Sequence, residues 1–272
     1  FPAPEGGSMK KLLILLLVLL LAGCADPAET TAPETTIPVT TIPETTIPET
    51  TVPETTVPVT TAPVGVDFRG LSLEDTLTYF EDVVLQMEYS DGTGNPSLVQ
   101  KWLMPITYRV LGEPTEEDLR VLQEFCGRLN ELPGFPGIQE AEDEYVESMT
   151  ISFLGPEEFR DGFSDVVNGE DAWGAVQFWY YTDTNEMYDA RIGYRSDIDQ
   201  ASRSSILLEE VINTLGITDT VLREDSIVYQ YSDDNLSLSQ IDWLILKLLY
   251  NPAIECGMNK DACAAVIAKL YY

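Results

Sequence analysis

The sequence predicts an α+β domain over residues 66–272, with a mixed or antiparallel sheet and helices packed against it. Three observations carry this expectation. Runs rich in β-branched and aromatic residues stand at 102–111, 149–154, 173–182 and 187–194, which is strand chemistry. Apolar residues at helical spacing occur before and between these runs and dominate from residue 198 onward. Mixed elements with the helices gathered late give an α+β order rather than strict alternation.

Each element has its own signal. Ser72, Leu73, Glu74 and Asp75 form a capping box, and Leu77, Phe80, Val84 and Leu85 follow at helical spacing. Residues 91–95, Asp-Gly-Thr-Gly-Asn, are turn chemistry, and Asn95-Pro96 marks a loop. Residues 102–111 read as one strand, and Thr115 to Asp118 caps a second helix running to Leu129. The strands at 173–182 and 187–194 are close enough to pair antiparallel. A helix over 198–215 is stopped by Gly216, and helices at 238–250 and 260–270 follow.

Ahead of this head the chain carries an address. Met9, Lys10 and Lys11 precede an apolar run of eleven residues, 12–22. That run is shorter than the ~20 residues a spanning helix needs, so residues 9–23 read as a signal peptide. It ends Leu21-Ala22-Gly23-Cys24, a lipobox pattern in which small residues precede the cut and the Cys24 thiol accepts the lipid. Residues 1–8 fit no targeting logic and read as a non-native upstream extension; Glu5-Gly6-Gly7 is what a purine-rich ribosome-binding site encodes, with Met9 as the start. Residues 24–65 are the lipidated cysteine and a stalk. From Thr30 a Thr/Pro pentad repeats, with seven prolines at fixed spacing. Proline fixes φ and removes a donor, so the repeat forms neither helix nor sheet and extends at ~3.1 Å per residue. Its threonines are either O-glycosylated or part of a bare spacer. The expected location is the extracytoplasmic face of a cell membrane, lipid-anchored, at a Gram-positive cell surface.

Charge excludes several functions. Acids outnumber bases 46 to 15, the net charge is −31, and histidine is absent. An acidic chain is a poor partner for nucleic acid, so the membrane contact expected here runs through the lipid anchor alone. Without imidazole there is no Ser-His-Asp triad, Cys-His pair or His-ligated zinc, and no cofactor is expected.

Other constellations are weaker. An exported head favours oxidation, and Cys256 with Cys263 would close a short loop as a disulfide, leaving Cys126 a buried thiol. Residues 173–181 put aromatics on both faces of one strand, either a sugar or peptide platform or a strand covered on both sides. The acidic run 140–147 and the pairs Asp197/Asp199 and Asp233/Asp234 lack the spacing of a calcium loop and read as solvated surface.

The segment 205–216, Ser-Ile-Leu-Leu-Glu-Glu-Val-Ile-Asn-Thr-Leu-Gly, resembles a family of bacterial secreted proteins and lipoproteins that carry His-Glu-Glu-x-Thr-Gln-x-Leu-Gly on a helix. The likeness continues through Asp225, Ser226 and Ile227, the run 238–250, and 251–258 with its Asn-Pro and Gly-Met. The family is similar to zincin metallopeptidases, which implies a zincin-like head. The motif histidine falls on Leu208, and a zincin's second histidine, four residues on, would fall on Ile212. Both metal positions are thus degenerate, and Leu208, Val211, Ile212 and Leu215 form an apolar stripe. Glu209 takes the general-base position and is the one weak catalytic candidate; without a metal it reads as a solvated helix glutamate.

The expected function is a surface-anchored lipoprotein whose zincin-like head is catalytically inactive and binds a protein or glycan partner in the envelope. The alternative is a cell-envelope hydrolase using carboxylates or a degenerate metallopeptidase site. A filled or open cleft beside Glu209 discriminates the two.

Overall fold

The computed structural model describes residues 65–68, 70–85, 98–142, 147–166, 172–232 and 234–272. The signal peptide, Cys24, the stalk, the 91–95 turn and Asp233 lie outside the described residues.

Helix α1 (Leu73–Phe80) begins at Ser72, whose Oγ accepts from the Asp75 amide at 3.0 Å and donates to the Asp75 carboxylate at 2.7 Å. Its apolar face runs on into one π-helical turn, Glu81–Leu85, that buries Val83, Val84 and Leu85. Strands β1 (Lys101–Trp102) and β2 (Ile106–Gly112) follow, then α2 (Glu116–Asn130). Thr115 opens α2 with a full capping box: its Oγ1 accepts from Asp118 N at 3.1 Å while Asp118 Oδ2 accepts from Thr115 N at 2.8 Å. The chain continues as β3 (Ile138–Glu140), β4 (Met149–Leu154), α3 (Pro156–Gly162), β5 (Gly174–Tyr180), β6 (Glu186–Arg195), α4 (Gln200–Asn213), α5 (Gln240–Leu249) and α6 (Lys260–Tyr271).

The sheet order is β1-β6-β4-β2-β3, with β5 also on β6. Every pairing is parallel except β5 with β6. The sheet is mixed, one of the two forms expected, but the expected α+β class is corrected. The 173–182 and 187–194 runs do pair antiparallel, but the whole is an α/β arrangement with a mainly parallel sheet. Strand direction is set by connections rather than by a strand's own residues: α2 returns the chain from β2 to a parallel β3, and α3 with β5 returns it from β4 to a parallel β6. The single strand expected over 102–111 is also broken. Pro105 has no N–H to give a ladder, and Leu103 and Met104 turn outward at 51% and 64% exposure.

A smaller cluster around Phe159 and Phe163 lies on one face of the sheet, and the main core lies on the other. Met149, Ile151 and Phe153 of β4 and Ile192 and Tyr194 of β6 point into it with strand periodicity. Gly193, on the other face, receives the Phe163 ring that follows α3; a Cβ there would lie 2.2 Å from the ring. Helix α4 packs against α2, β5 and β6. At its end Gly216 adopts φ +96°, 2.2 Å from Gln100 O by its would-be Cβ, so the stop read from sequence is also a close approach to the chain entering β1. Two buried side chains finish the capping: the Trp102 indole donates to Thr214 O at 2.7 Å, and the Tyr250 hydroxyl to Leu215 O at 3.1 Å.

Candidate functional site

Helix α4 is where the motif residues fall, and it is buried from Arg203 to Asn213 on every side. Leu208 and Ile212 are 4% and 1% exposed and sit in the main core with Val211 and Leu215. No open cleft therefore exists at those two positions. Glu209 is not the solvated residue expected: it is 3% exposed, and Glu210 is fully enclosed. The physical reason is that an apolar stripe identifies one packed face but says nothing of whether the other face meets water. Here β5 covers it, and Gly174 makes the room, since a Cβ at that position would lie 2.2 Å from Glu210 Oε1. The neighbouring Tyr194 phenol donates to Leu207 O at 3.2 Å. Burial pushes its pKa far up, and the charges of Glu210, Asp118 and Glu209 add to the shift.

The first turn of α4 carries a second buried carboxylate site. Asp199 caps the helix, accepting from Ala201 N and Ser202 N at 3.1 Å each, and these bonds hold its pKa down. Asp118 of α2 is buried against α4 and accepts from Arg203 Nη2, from Gln200 Nε2 at 2.7 Å and from Thr115 N at 2.8 Å. Arg203 also donates to Ser196 O at 2.9 Å. This network joins two helices, and its carboxylate has no lone pair facing solvent.

The disulfide expected between Cys256 and Cys263 is not formed; both are free thiols, as is Cys126. Cys256 donates its thiol to Lys101 O at 3.6 Å, while Cys263 is buried in the first turn of α6. Sequence proximity gave the pairing its appeal, but the two thiols serve different neighbours. Burial pushes the thiol of Cys263 up to about 11 and that of Cys126 to about 12, so neither is a ready nucleophile. Between the last two helices, the buried Lys101 ammonium donates to Leu249 O at 2.8 Å and to Ile254 O, closing the end of α5. Burial draws its pKa down to about 8.

The acidic pairs are used locally. Asp197 takes Arg195 at 3.0 and 2.8 Å, Glu147 takes Arg109 at 3.2 Å, and Asp234 accepts from Ser232 Oγ at 2.9 Å. Among the described residues no three Cys, Asp or Glu side chains converge as a metal site. The aromatic run on β5 divides: Ala175, Val176 and Gln177 are buried, and Tyr181 emerges beyond the strand to stack on Tyr188 with centroids 4.5 Å apart, at 51% and 42% exposure.

A feature that sequence reading missed is a groove of about 620 Å³ between the end of α2 and one face of α5. Trp243, Leu244 and Lys247 form the α5 wall, at helical spacing. Arg128 and Leu132 come from α2 and the turn after it, Phe68 from the segment before α1, and Arg223 and Leu238 from the irregular stretch between α4 and α5. The Arg128 guanidinium lies over the Trp243 ring, 4.1 Å from its centroid. Arg223 is held by both oxygens of Asp225 at 2.8 Å. Only the Trp243/Lys247 spacing could have signalled the α5 wall from sequence; the other walls meet through the fold.

No curated protein matches the chain significantly. Among solved structures, one titled "Crystal structure of myroilysin" is similar at 13% identity and a TM-score of 0.28, over 58% of this chain and 60% of that one. The chain thus spans about 60% of that structure's length. The family profile described as "Protein of unknown function (DUF2927)" matches residues 74–269, most of the chain, which therefore belongs to the DUF2927 family.

Proposed function

We propose that this protein is a lipid-anchored bacterial surface protein whose head binds an envelope component rather than cleaving it. The observation supporting this reading is that Leu208 and Ile212, at the positions where a zincin-like helix would grip its metal, are core residues at 4% and 1% exposure. Removing them from the core would cost packing, so they act as structure. The lipobox at Leu21 to Cys24 and the proline repeat behind it support display at a distance from the membrane. A second reading has one observation in its favour: Glu209 and Glu210 are both buried, which is rare for glutamate.

The two readings part in one experiment. The purified full chain is incubated with isolated cell-wall sacculi, and both co-sedimentation and release of soluble peptide or sugar fragments are followed. Binding without release, unaltered in Glu209→Gln, is the expected result. Fragment release that Glu209→Gln abolishes would replace the binding reading with the hydrolase one. Metal analysis adds a check: one zinc per chain, with a melting temperature that falls on chelation, would restore the metallopeptidase alternative.

A further inference from the structure

We propose that the groove between α2 and α5 is a binding site for a small organic monocarboxylate with an apolar body. The inference goes beyond the reading above, because it concerns what the groove holds whether or not the head cleaves anything.

Charge is the first ground. Acids outnumber bases 46 to 15 in this chain. Of the described basic residues, Arg109, Arg120, Arg195, Arg203, Arg223 and Lys260 each meet a carboxylate. Lys101, Arg128, Arg160, Arg191, Lys247 and Lys269 do not, and of these six only Arg128 and Lys247 stand on the groove: among the described residues Arg128 has only the Trp243 ring, and Lys247 has neither a hydrogen bond nor an ion pair. Both line the same groove, and both flank Trp243, one stacked on its face and the other four residues along the same helix. A guanidinium held over a ring keeps its N–H donors available when no acceptor takes them, as none does for Arg128 among the described residues, and such donors receive a carboxylate in a fork.

The rest of the groove sets the ligand's size and sign. Its volume of about 620 Å³ falls within the ~300–1,000 Å³ typical of small-molecule sites. Phe68, Leu132, Leu238 and Leu244 are buried apolar side chains at its walls, suited to a hydrocarbon body. Arg223 is neutralised by Asp225, and Asp67 and Glu131 also stand on the lining, so the three bases are matched by three acids and the positive charge is local to Arg128 and Lys247. With a head that is acidic throughout, that balance suits one carboxylate and disfavours phosphate dianions and polyanions, which the surrounding field repels.

The test is calorimetric titration of the full chain with N-acetyl-L-leucine, with N-acetyl-L-leucinamide and with inorganic phosphate, at low and at physiological salt. Saturable binding of the acid is expected, weaker by about tenfold or more for the amide, with none for phosphate. Arg128→Ala and Lys247→Ala should each weaken the acid by about tenfold, and Arg128→Lys should not restore it, because an ammonium lacks the fork. Arg160→Ala, which removes an equal charge from an exposed position on α3, should leave binding unchanged. Absence of saturable binding at millimolar acid, equal affinity for acid and amide, or an Arg160→Ala effect as large as that of Arg128→Ala would each overturn the proposal. None of these outcomes depends on Glu209. Release of sacculus fragments would overturn the binding reading while leaving the groove result standing.

Discussion

Arg203 and Arg128 carry the same charge in one acidic chain, and the molecule treats them in opposite ways. At the start of α4, Arg203 is buried on Asp118, and Gln200 and the Thr115 amide take up what that carboxylate has left. In the groove, Arg128 lies over an indole and Lys247 stands nearby, and neither forms an ion pair with the carboxylates that share the lining. One region turns its charges inward to fasten two helices. The other pairs Arg223 with Asp225 but leaves Arg128 and Lys247 out of any ion pair.

The contrast breaks first at the paired end. Asp118→Ala leaves a buried guanidinium without its carboxylate and should cost ~3–5 kcal/mol, read as a lowered urea midpoint at constant slope. A loss under ~1 kcal/mol would rank this pair with exposed salt bridges and remove the distinction. Packing on the same helix gives the next effect. Leu208→Ala should cost ~2–5 kcal/mol through the cavity it leaves, with no accompanying change in metal content.

Lys101 sharpens the comparison as a cation that is buried but held only by carbonyls. Its folded pKa is depressed to about 8 from 10.5, so between those values the unfolded chain binds more protons than the folded one. Stability from this group must therefore rise as pH climbs from about 8 to 10.5, and its penalty is fully present below 8. The buried thiols of Cys126 and Cys263 act the other way, since their pKa values are raised and the fold retains protons that the unfolded chain gives up. The difference between the wild type and Lys101→Met across this range isolates the lysine; parallel stability curves would refute its shift. In the same preparation a maleimide at neutral pH should label half-buried Cys256 first and the two buried thiols only on unfolding.

The smallest effect belongs to the groove. Arg128→Ala loses an exposed cation–π contact worth ~0.5–1 kcal/mol, so its stability change should stay within that range. A loss as large as that of Asp118→Ala would show that Arg128 is structural after all.

Much of the local structure was legible in the sequence. Ser72, Thr115 and Gly216 delimit their helices where capping and stop chemistry place them, because those signals are short-range and need no partner. The direction of the strands was not legible, since β4 and β6 look alike whether parallel or antiparallel and only their connection decides. Burial of Glu210 was hidden for a related reason: its space comes from Gly174, more than thirty residues earlier, and nothing within α4 announces it. Leu208 and Ile212 were read as core from their spacing alone and lie there. Cys256 and Cys263 misled because nearness along the chain was taken for nearness of thiols, while Lys101 from β1 takes one of them.

The meeting of the two ends of the described head has a consequence for how it forms. The Tyr271 hydroxyl donates to Leu71 O at 3.1 Å and its ring packs on Phe68, across two hundred residues. Lys101 waits for Leu249 and Ile254, and Trp102 for Thr214, over separations of more than a hundred. During synthesis α1 and β1 emerge first, yet neither has its partners until α4, α5 and α6 have followed. Their apolar faces stay exposed for that interval, and contacts so distant in sequence make for slow folding. The β5–β6 hairpin can form from neighbours in sequence, whereas α1 and β1 acquire their contacts late, and a truncation at residue 259 that removes α6 would leave the earliest-made helix without its cover.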